Sequence, residues 1–588
     1  MKYIILRITV LVIILVLLCL QINTKSFIYP FLSYAYYLHL FLIIISVFVL
    51  TGLIFKQNEA LHIPISLLAW SLWGLYIFLY WIFALNVESY YITYLLTMLY
   101  IGSALYACLK LQLVRSSYLL ISLAFMAVIV ATVSLLQTIG ISHSTTPYFK
   151  ASGLTDNPNI AAMYIALSIP ACIKCTGYWS VKYKFLIIPS WMLIATALVV
   201  LQCRSALIGA GIGLTVYAVA GCKLRFSTLR LGYKIFAILA SVVAIIVVFF
   251  IHQHKQASAD GRMTIWHISG KMVADKPFFG HGYGLFEREY NLYQAIYFNQ
   301  TLRPEHERMN AGFTAMAYNE YIEQTVMGGL VGGMLFVGVL LVLIVSGWRN
   351  RTQVLFALAG MSVFAGISFM NFTIQSPVLF FTAMVYATII IAEDKSTLFI
   401  RSKIFISKKV QLVFIFSGLF FGIVGLQKYN AQKKLKIAIN CMTKGDILQA
   451  KQLIEDIEPD ISTSEAFYRT KSELLFETSR PTEAVQALKQ ASLFSSNPAI
   501  LLRTGLLSEK AGDYASAERY FRLASGVEPH KFLPRVLLMH LYAQTRNRKK
   551  KENTAHEILA LTPKIPSNDV TAYKREAGMI LNGQPVNQ

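Results

Sequence analysis

The residues with the most specific chemistry here are arginines set beside apolar sequence. Arg204 sits in a tight turn between two apolar blocks. Arg262, Arg288, Arg303 and Arg308 follow in a polar stretch that also holds Asp260, His281, Glu287, His306, Asn319 and Glu320. A guanidinium presents a rigid fork of donors that can engage two phosphate oxygens at once. Several of them beside a membrane suit a lipid-linked phosphate or diphosphate. Interfacial arginines also snorkel to lipid headgroups, but Arg204 stands out because the other short loops on its side of the membrane are nearly free of cations. Arg262, Arg288 and Asn319 lie with it among the polar residues expected on the outer side. The same stretch holds the titratable side chains His281, Glu320 and His306. Histidine already titrates near neutrality. Cys172 and Cys175 form a C-x-x-C inside an apolar block, which reads as helix packing rather than redox or zinc chemistry.

The elements that must position these residues are membrane helices. The chain has 588 residues, of which 56% are hydrophobic and 14% charged. A soluble domain carries about 25% charge. The apolar residues fall in blocks of about 16 to 25, long enough to cross a hydrocarbon core. A backbone in lipid must satisfy its own hydrogen bonds, so the blocks should be helices. The sequence predicts thirteen: Ile4–Ile22, Tyr36–Phe55, Pro64–Phe83, Tyr90–Leu109, Tyr118–Ile139, Ile160–Cys175, Phe185–Gln202, Ala206–Gly221, Leu231–Ile251, Tyr321–Val345, Val354–Thr373, Pro377–Ala392 and Val410–Leu426. The first reads as a retained helix, since no small-residue cleavage site follows it. The net charge of +23 could suggest nucleic acid. With the N-terminus inside, however, nineteen Lys and Arg fall on the cytoplasmic side. Only Lys25, Lys150 and Arg204 fall in the short outer loops. That bias is a topology signal, and nucleic acid is not an expected partner. Acidic residues are nearly absent from the expected spans, which argues against a proton-coupled transporter.

Two outer stretches interrupt the helical pattern. Gly140 to Asn159 contains S-G-L-T-D-N-P-N, where Asp156 or Asn157 would cap the next helix. The longer stretch, from about His252 to Asn319, mixes charges with aromatics and reads as a cap of short helices on the membrane surface. Beyond Leu426 the composition turns polar. Ala450, Ala484 and Ala517 recur at spacings of 34 and 33 residues, each followed by a bulky residue and then a proline. This period resembles the tetratricopeptide repeat and predicts about three helix pairs with a concave face for a peptide or protein.

The order of motifs resembles the O-antigen ligase and polymerase superfamily. L201-Q-C-R-S-A-L-I-G is similar to its Ser-Arg-Ser-plus-glycine turn, and G261-R-M-T-I-W to its next Arg-and-Trp segment. K276-P-F-F-G-H-G-Y-G-L-F resembles its glycine element. A317-Y-N-E-Y-I-E-Q-T-V-M-G-G-L-V-G resembles the segment that opens the helix after the large outer loop, and T155-D-N-P-N-I-A its Asn-Pro-Asn turn. The resemblance spans roughly residues 150 to 345. Together with the thirteen apolar blocks and the repeat period, it implies an all-α, GT-C-like transmembrane bundle of about thirteen spans with a C-terminal α-solenoid. The divisions would be 1–251 and 320–427 in the bacterial inner membrane, with 252–319 and 428–588 in the periplasm. It also implies an enzyme that moves a glycan from undecaprenyl diphosphate to lipid A core or a protein hydroxyl. Arg204 and Arg262 would hold the diphosphate and stabilise the leaving group, with no metal or cofactor required. A polymerase is the same-class alternative, and a lipid-linked glycan transporter the different-class one. The family's histidine before Asn is Tyr318 here, which leaves the base open among His281, Glu320 and His306. A phenol with a pKa near 10 is a poor base at neutral pH.

Overall fold

The computed structural model describes Val12, Val16 and residues 40–46, 64–83, 89–177, 185–221, 256–300, 303–396 and 408–582. All regular structure among these residues is helical. The membrane part comprises α1 (Ile65–Phe83), α2 (Ser89–Lys110), α3 (Ser116–Thr138), α4 (Pro158–Thr176), α5 (Ile187–Val200) and α6 (Arg204–Gly221). After the cap come α10 (Glu320–Arg349), α11 (Arg351–Ser368) and α12 (Pro377–Glu393). Seven of these helices are long and apolar enough to cross a membrane, and α5 and α12 are shorter apolar helices. The expected spans Ile4–Ile22 and Leu231–Ile251 lie outside the described residues apart from Val12 and Val16, and of Tyr36–Phe55 only 40–46 is described.

Small residues set the closest approaches in this bundle. Gly209 and Gly213, one turn apart on α6, face Ile367 and Val363 of α11, and a Cβ at either would overlap those side chains. Such small-residue spacing lets two helix backbones approach closely in lipid, where packing rather than hydrophobicity drives association. Helix α12 is buried along nearly its whole length, as expected of a helix apolar on every face. Its C-terminal end is fastened by Asp394, which accepts hydrogen bonds from Ser66 Oγ at 2.6 Å and Ser346 Oγ at 3.0 Å. Cys172 and Cys175 are free and buried on α4.

The opposite end of the bundle carries the cap: α7 (Gln256–Asp275), α8 (Phe286–Gln300) and α9 (Glu305–Asn310). Helix α13 (Lys408–Thr443) then runs 36 residues without a break, through the expected membrane boundary and into the repeats. Its sequence from Gln427 to Lys436 has no Gly or Pro to stop it. The repeats are α14 (Ile447–Ile461), α15 (Glu465–Glu477), α16 (Pro481–Ala491), α17 (Pro498–Lys510), α18 (Tyr514–Val527), α19 (Leu533–Gln544), α20 (Arg548–Ala560) and α21 (Asn568–Leu581). The pairs α13–α14, α15–α16, α17–α18 and α19–α20 pack on each other, with α21 closing the stack. The sequence led us to expect about three pairs; the fourth is additional. Each pair turns on one left-handed residue: Gly445, Ser479, Gly512 and Arg546, spaced 34, 33 and 34 residues apart. Ala450, Ala484 and Ala517 are fully buried between paired helices.

Candidate active site

Arg204 and Arg262 come together from different elements. Gln202, at φ +49°, turns the chain between α5 and α6 and makes Arg204 the first residue of α6. The neighbouring Ser205 Oγ accepts a hydrogen bond from Asn371 Nδ2 at 3.0 Å, which ties this turn to the α11–α12 loop. Arg262, on α7, donates from Nη1 to the Met370 carbonyl at 2.7 Å. Its guanidinium lies 5.0 Å from the centre of the Tyr318 ring. Burial lowers the Arg262 pKa; the Tyr318 phenol opposes that shift and the nearby Arg204 charge adds to it. Arginine stays protonated through such shifts. Arg262 forms no salt bridge among the described residues. The result is two close cations, an arrangement that favours a ligand with two or more negative charges.

The segment after the cap supplies the next wall. Tyr318 sits at φ +53°, with its ring between Arg262 and Phe372, the latter edge-on at 5.9 Å. Burial pushes its phenol pKa up, only partly offset by Arg262, so it is even less suited to act as a base at neutral pH. Asn319 is buried and caps α10, its side-chain oxygen accepting from Ile322 N–H at 3.1 Å. That role holds its oxygen at the helix start. Glu320 is fully buried, and its Oε1 accepts from the N–H groups of Thr373 and Ile374, both at 2.6 Å. Glu323, also buried, accepts from Ala317 N–H at 2.8 Å and from Gln375 Nε2. The scarcity of acids in the expected spans therefore needs correcting: α10 buries two carboxyls in its first turn. They lie at the helix start rather than mid-membrane, and their oxygens pin two loops. This bracing sets Glu320 inward, away from the acceptor-facing position expected of a base.

The glycine element has an architectural role. Helix α10 is broken at Gly329 (φ +67°). The exposed carbonyls of Val326 and Met327 accept from the N–H groups of His281 and Gly282, both at 2.9 Å, while Leu330 N–H donates to the Pro277 carbonyl at 2.7 Å. Tyr76 Oη donates to the Gly328 carbonyl at 2.6 Å. The carbonyls of residues 326–328 and the N–H groups of Leu330 and Val331, freed by the break, thus find partners, as a backbone at membrane depth requires. The His281 imidazole points inward, with Nε2 at 2.9 Å from the Met272 carbonyl and Nδ1 3.6 Å from Glu289. It is buried. Arg288 lies at the edge of the repeat domain. It pairs with Glu289 and donates to the Ser492 carbonyl of the repeat domain at 3.4 Å, away from the arginine pair. His306 lies on the short helix α9.

Beyond Phe372 opens a cavity of about 680 Å³. Its walls come from the α3–α4 turn (Asp156, Asn157), the glycine element (Phe286, Glu287), the α11–α12 loop (Phe372, Gln375) and the repeats (Arg469, Phe494). Sequence reasoning missed Glu323, the α11–α12 loop and the repeat-domain wall. The polar island N371-F-T-I-Q-S-P between two apolar blocks was the available signal for the loop.

The fold and this site define an all-helical, multi-pass membrane protein whose cap, cation pair and repeat stack meet at one end of the bundle. Residues 189–337 match the family model described as O-antigen ligase, and every candidate residue from Arg204 to Glu320 lies within that match. This stretch, about a quarter of the chain, is thus similar to an O-antigen ligase domain, a likeness that supports a membrane function of the glycosyl-transfer or ligase type. No curated protein matches the chain. Among solved structures it is similar to "Crystal structure of APC/C hetero-tetramer Cut9-Hcn1", at 10% identity over 83% of this chain and 75% of that chain. The TM-score of 0.22 is too low to carry an argument about the fold.

Proposed function

We propose that this protein transfers a glycan from undecaprenyl diphosphate to lipid A core or a protein hydroxyl on the outer face of a bacterial inner membrane. Residues 252–319 and 428–588 are then periplasmic. The observation that carries this reading is the convergence of Arg204 and Arg262, from α6 and α7, beside the Met370 carbonyl. Two guanidiniums fixed before substrate arrives stabilise the diphosphate as it leaves, when its charge is greatest. The acceptor oxygen attacks the anomeric carbon, the bond to the diphosphate breaks, and the acceptor's proton passes to a base or to solvent. With His281 and Glu320 turned inward, leaving-group stabilisation carries most of the work. The test is transfer in membranes with correctly inserted protein. Arg204→Ala and Arg262→Ala should each lose at least about a hundredfold, the scale of one lost transition-state donor. Arg204→Lys should also lose most activity, because an ammonium lacks the fork. Normal transfer by the double alanine variant would refute the assignment.

A further inference from the structure

We infer that the cavity beyond Phe372 is a carbohydrate site, built jointly by the membrane domain and the repeats, that holds the sugar units next to the reacting bond. Its volume of about 680 Å³ lies within the range of roughly 300–1,000 Å³ typical of ligand sites. Aromatic side chains line it from three separate elements: Phe286 of the cap, Phe372 of the α11–α12 loop and Phe494 of the repeats. The electron-rich face of an aromatic ring attracts the C–H groups on the face of a sugar.

The polar lining suits hydroxyls rather than phosphates. Asn157 and Asn497 spend their side-chain oxygens on helix caps, accepting from Asn159 N–H and Ala499 N–H, both at 2.9 Å. Their amide N–H groups are the remaining donors, and Asp156 and Glu465 supply acceptors in the same lining. Arg469, the lining cation, is neutralised by Glu465 at 3.0 Å. With acids in excess of cations, the cavity repels a diphosphate and accepts an uncharged, hydroxyl-rich ligand. Its position fits as well. Phe372 packs on Tyr318, whose other partner is Arg262, so two aromatic rings in series, Phe372 and then Tyr318, lie between the cavity and the cation pair. A sugar attached to a diphosphate at Arg204 and Arg262 would enter it. The repeats are then part of the substrate site rather than a remote docking module.

The link to transfer rests on the proposed function, whereas sugar binding does not, and the experiment separates the two. Full-length protein in nanodiscs is probed by ligand-observed NMR with two oligosaccharides released by mild acid. One is the glycan of the host's lipid-diphosphate pool, the other the core oligosaccharide of its lipopolysaccharide. At least one should bind the wild type, and which one binds identifies the donor or the acceptor as the source. Asn497→Asp keeps the cap oxygen but removes the N–H donors, and should weaken binding about tenfold. That is the factor expected for one net hydrogen bond of about 1.4 kcal/mol. Phe494→Ala should weaken it similarly, whereas Phe494→Tyr, which preserves the stack on Tyr468, should bind as wild type does. Failure of both oligosaccharides to bind the wild type, or unchanged binding in both Asn497→Asp and Phe494→Ala, would overturn the site. The Arg204→Ala, Arg262→Ala double variant should still bind oligosaccharide. If it also transfers glycan normally, the arginine assignment falls; if the wild type binds oligosaccharide but transfers no glycan, the ligase reading falls while the sugar site stands.

Discussion

Tyr318 holds a left-handed backbone conformation that asparagine and histidine adopt far more readily than tyrosine. Its ring is held by Arg262 on one side and Phe372 on the other, and those contacts offset the strain. The ring and the phenol therefore make different predictions. Tyr318→Phe keeps both ring contacts, so transfer measured between pH 6 and 8 should stay within about threefold of wild type. Tyr318→Ala removes the aromatic face under the guanidinium, a contact of about 0.5–2 kcal/mol, and should lose at least about threefold. A collapse of activity in Tyr318→Phe would instead make the phenol a chemical participant. His281→Ala frees the Met272 carbonyl and the Glu289 carboxylate inside the cap. Its expected signature is a lower melting temperature of the purified protein with an unchanged pH–rate profile. A lost acid limb at full stability would restore His281 as the base.

Helix α10 and the glycine element work as one structural unit. A Cβ at Gly329 would run into the Phe278 carbonyl, and one at Gly280 into the backbone of residues 326–329. Both glycines also have positive φ, so alanine there is strained as well as crowded. Gly329→Ala or Gly280→Ala should cost several kcal/mol and abolish transfer. Gly338→Ala, further along α10 with open space around it, should leave melting temperature and transfer unchanged. Much of this was legible in the sequence. The apolar block lengths marked the helices, and the glycine pattern marked an unusual backbone. Composition could not reveal that K276–F286 fills the break made by M327-G-G-L, because that pairing joins segments about fifty residues apart and depends on backbone hydrogen bonds. The fourth repeat was hidden for a related reason. Ser479 and Arg546 take the left-handed turn that Gly445 and Gly512 advertise, and Lys551 stands five residues after Arg546, where the other repeats place alanine. At the site, arginines were readable from their contrast with apolar surroundings. The inward turn of His281 and Glu320 was not, since a sequence does not say which side of a loop a side chain takes.

The membrane domain and the repeats are joined covalently through the unbroken α13 and laterally through the cap, where helix α8 makes several of the contacts. Gln294 Nε2 donates to the Val527 carbonyl at 2.7 Å and Asn299 Nδ2 to the Arg522 carbonyl at 2.8 Å. At the other end of α8, Glu287 accepts from Ser495 Oγ at 2.9 Å and Ser496 N–H at 3.0 Å. This contact borders the proposed sugar cavity, so its strength bears on substrate handling. Burial raises the Glu287 pKa from the usual 4.5 to about 7. The two serine hydrogen bonds oppose that rise, and the facing Glu465 adds to it. The docked state therefore favours the neutral acid. Below pH 4.5 the carboxyl is protonated whether docked or not, and docking keeps its full strength. As pH rises toward 7, undocked Glu287 loses its proton first, and docking weakens by up to about tenfold per pH unit before levelling off. The hydrogen-exchange protection factors of α8 and of residues 492–500 in the full-length protein, corrected for the pH dependence of the intrinsic rate, should thus be higher at pH 5.5 than at pH 7.5. Glu287→Gln, neutral at every pH and still able to accept from both serines, should remove that difference. Ser495→Ala should lower protection at both values while keeping the slope. A wild-type profile with no pH dependence, or one running the other way, would mean that Glu287 is ionised in the docked state.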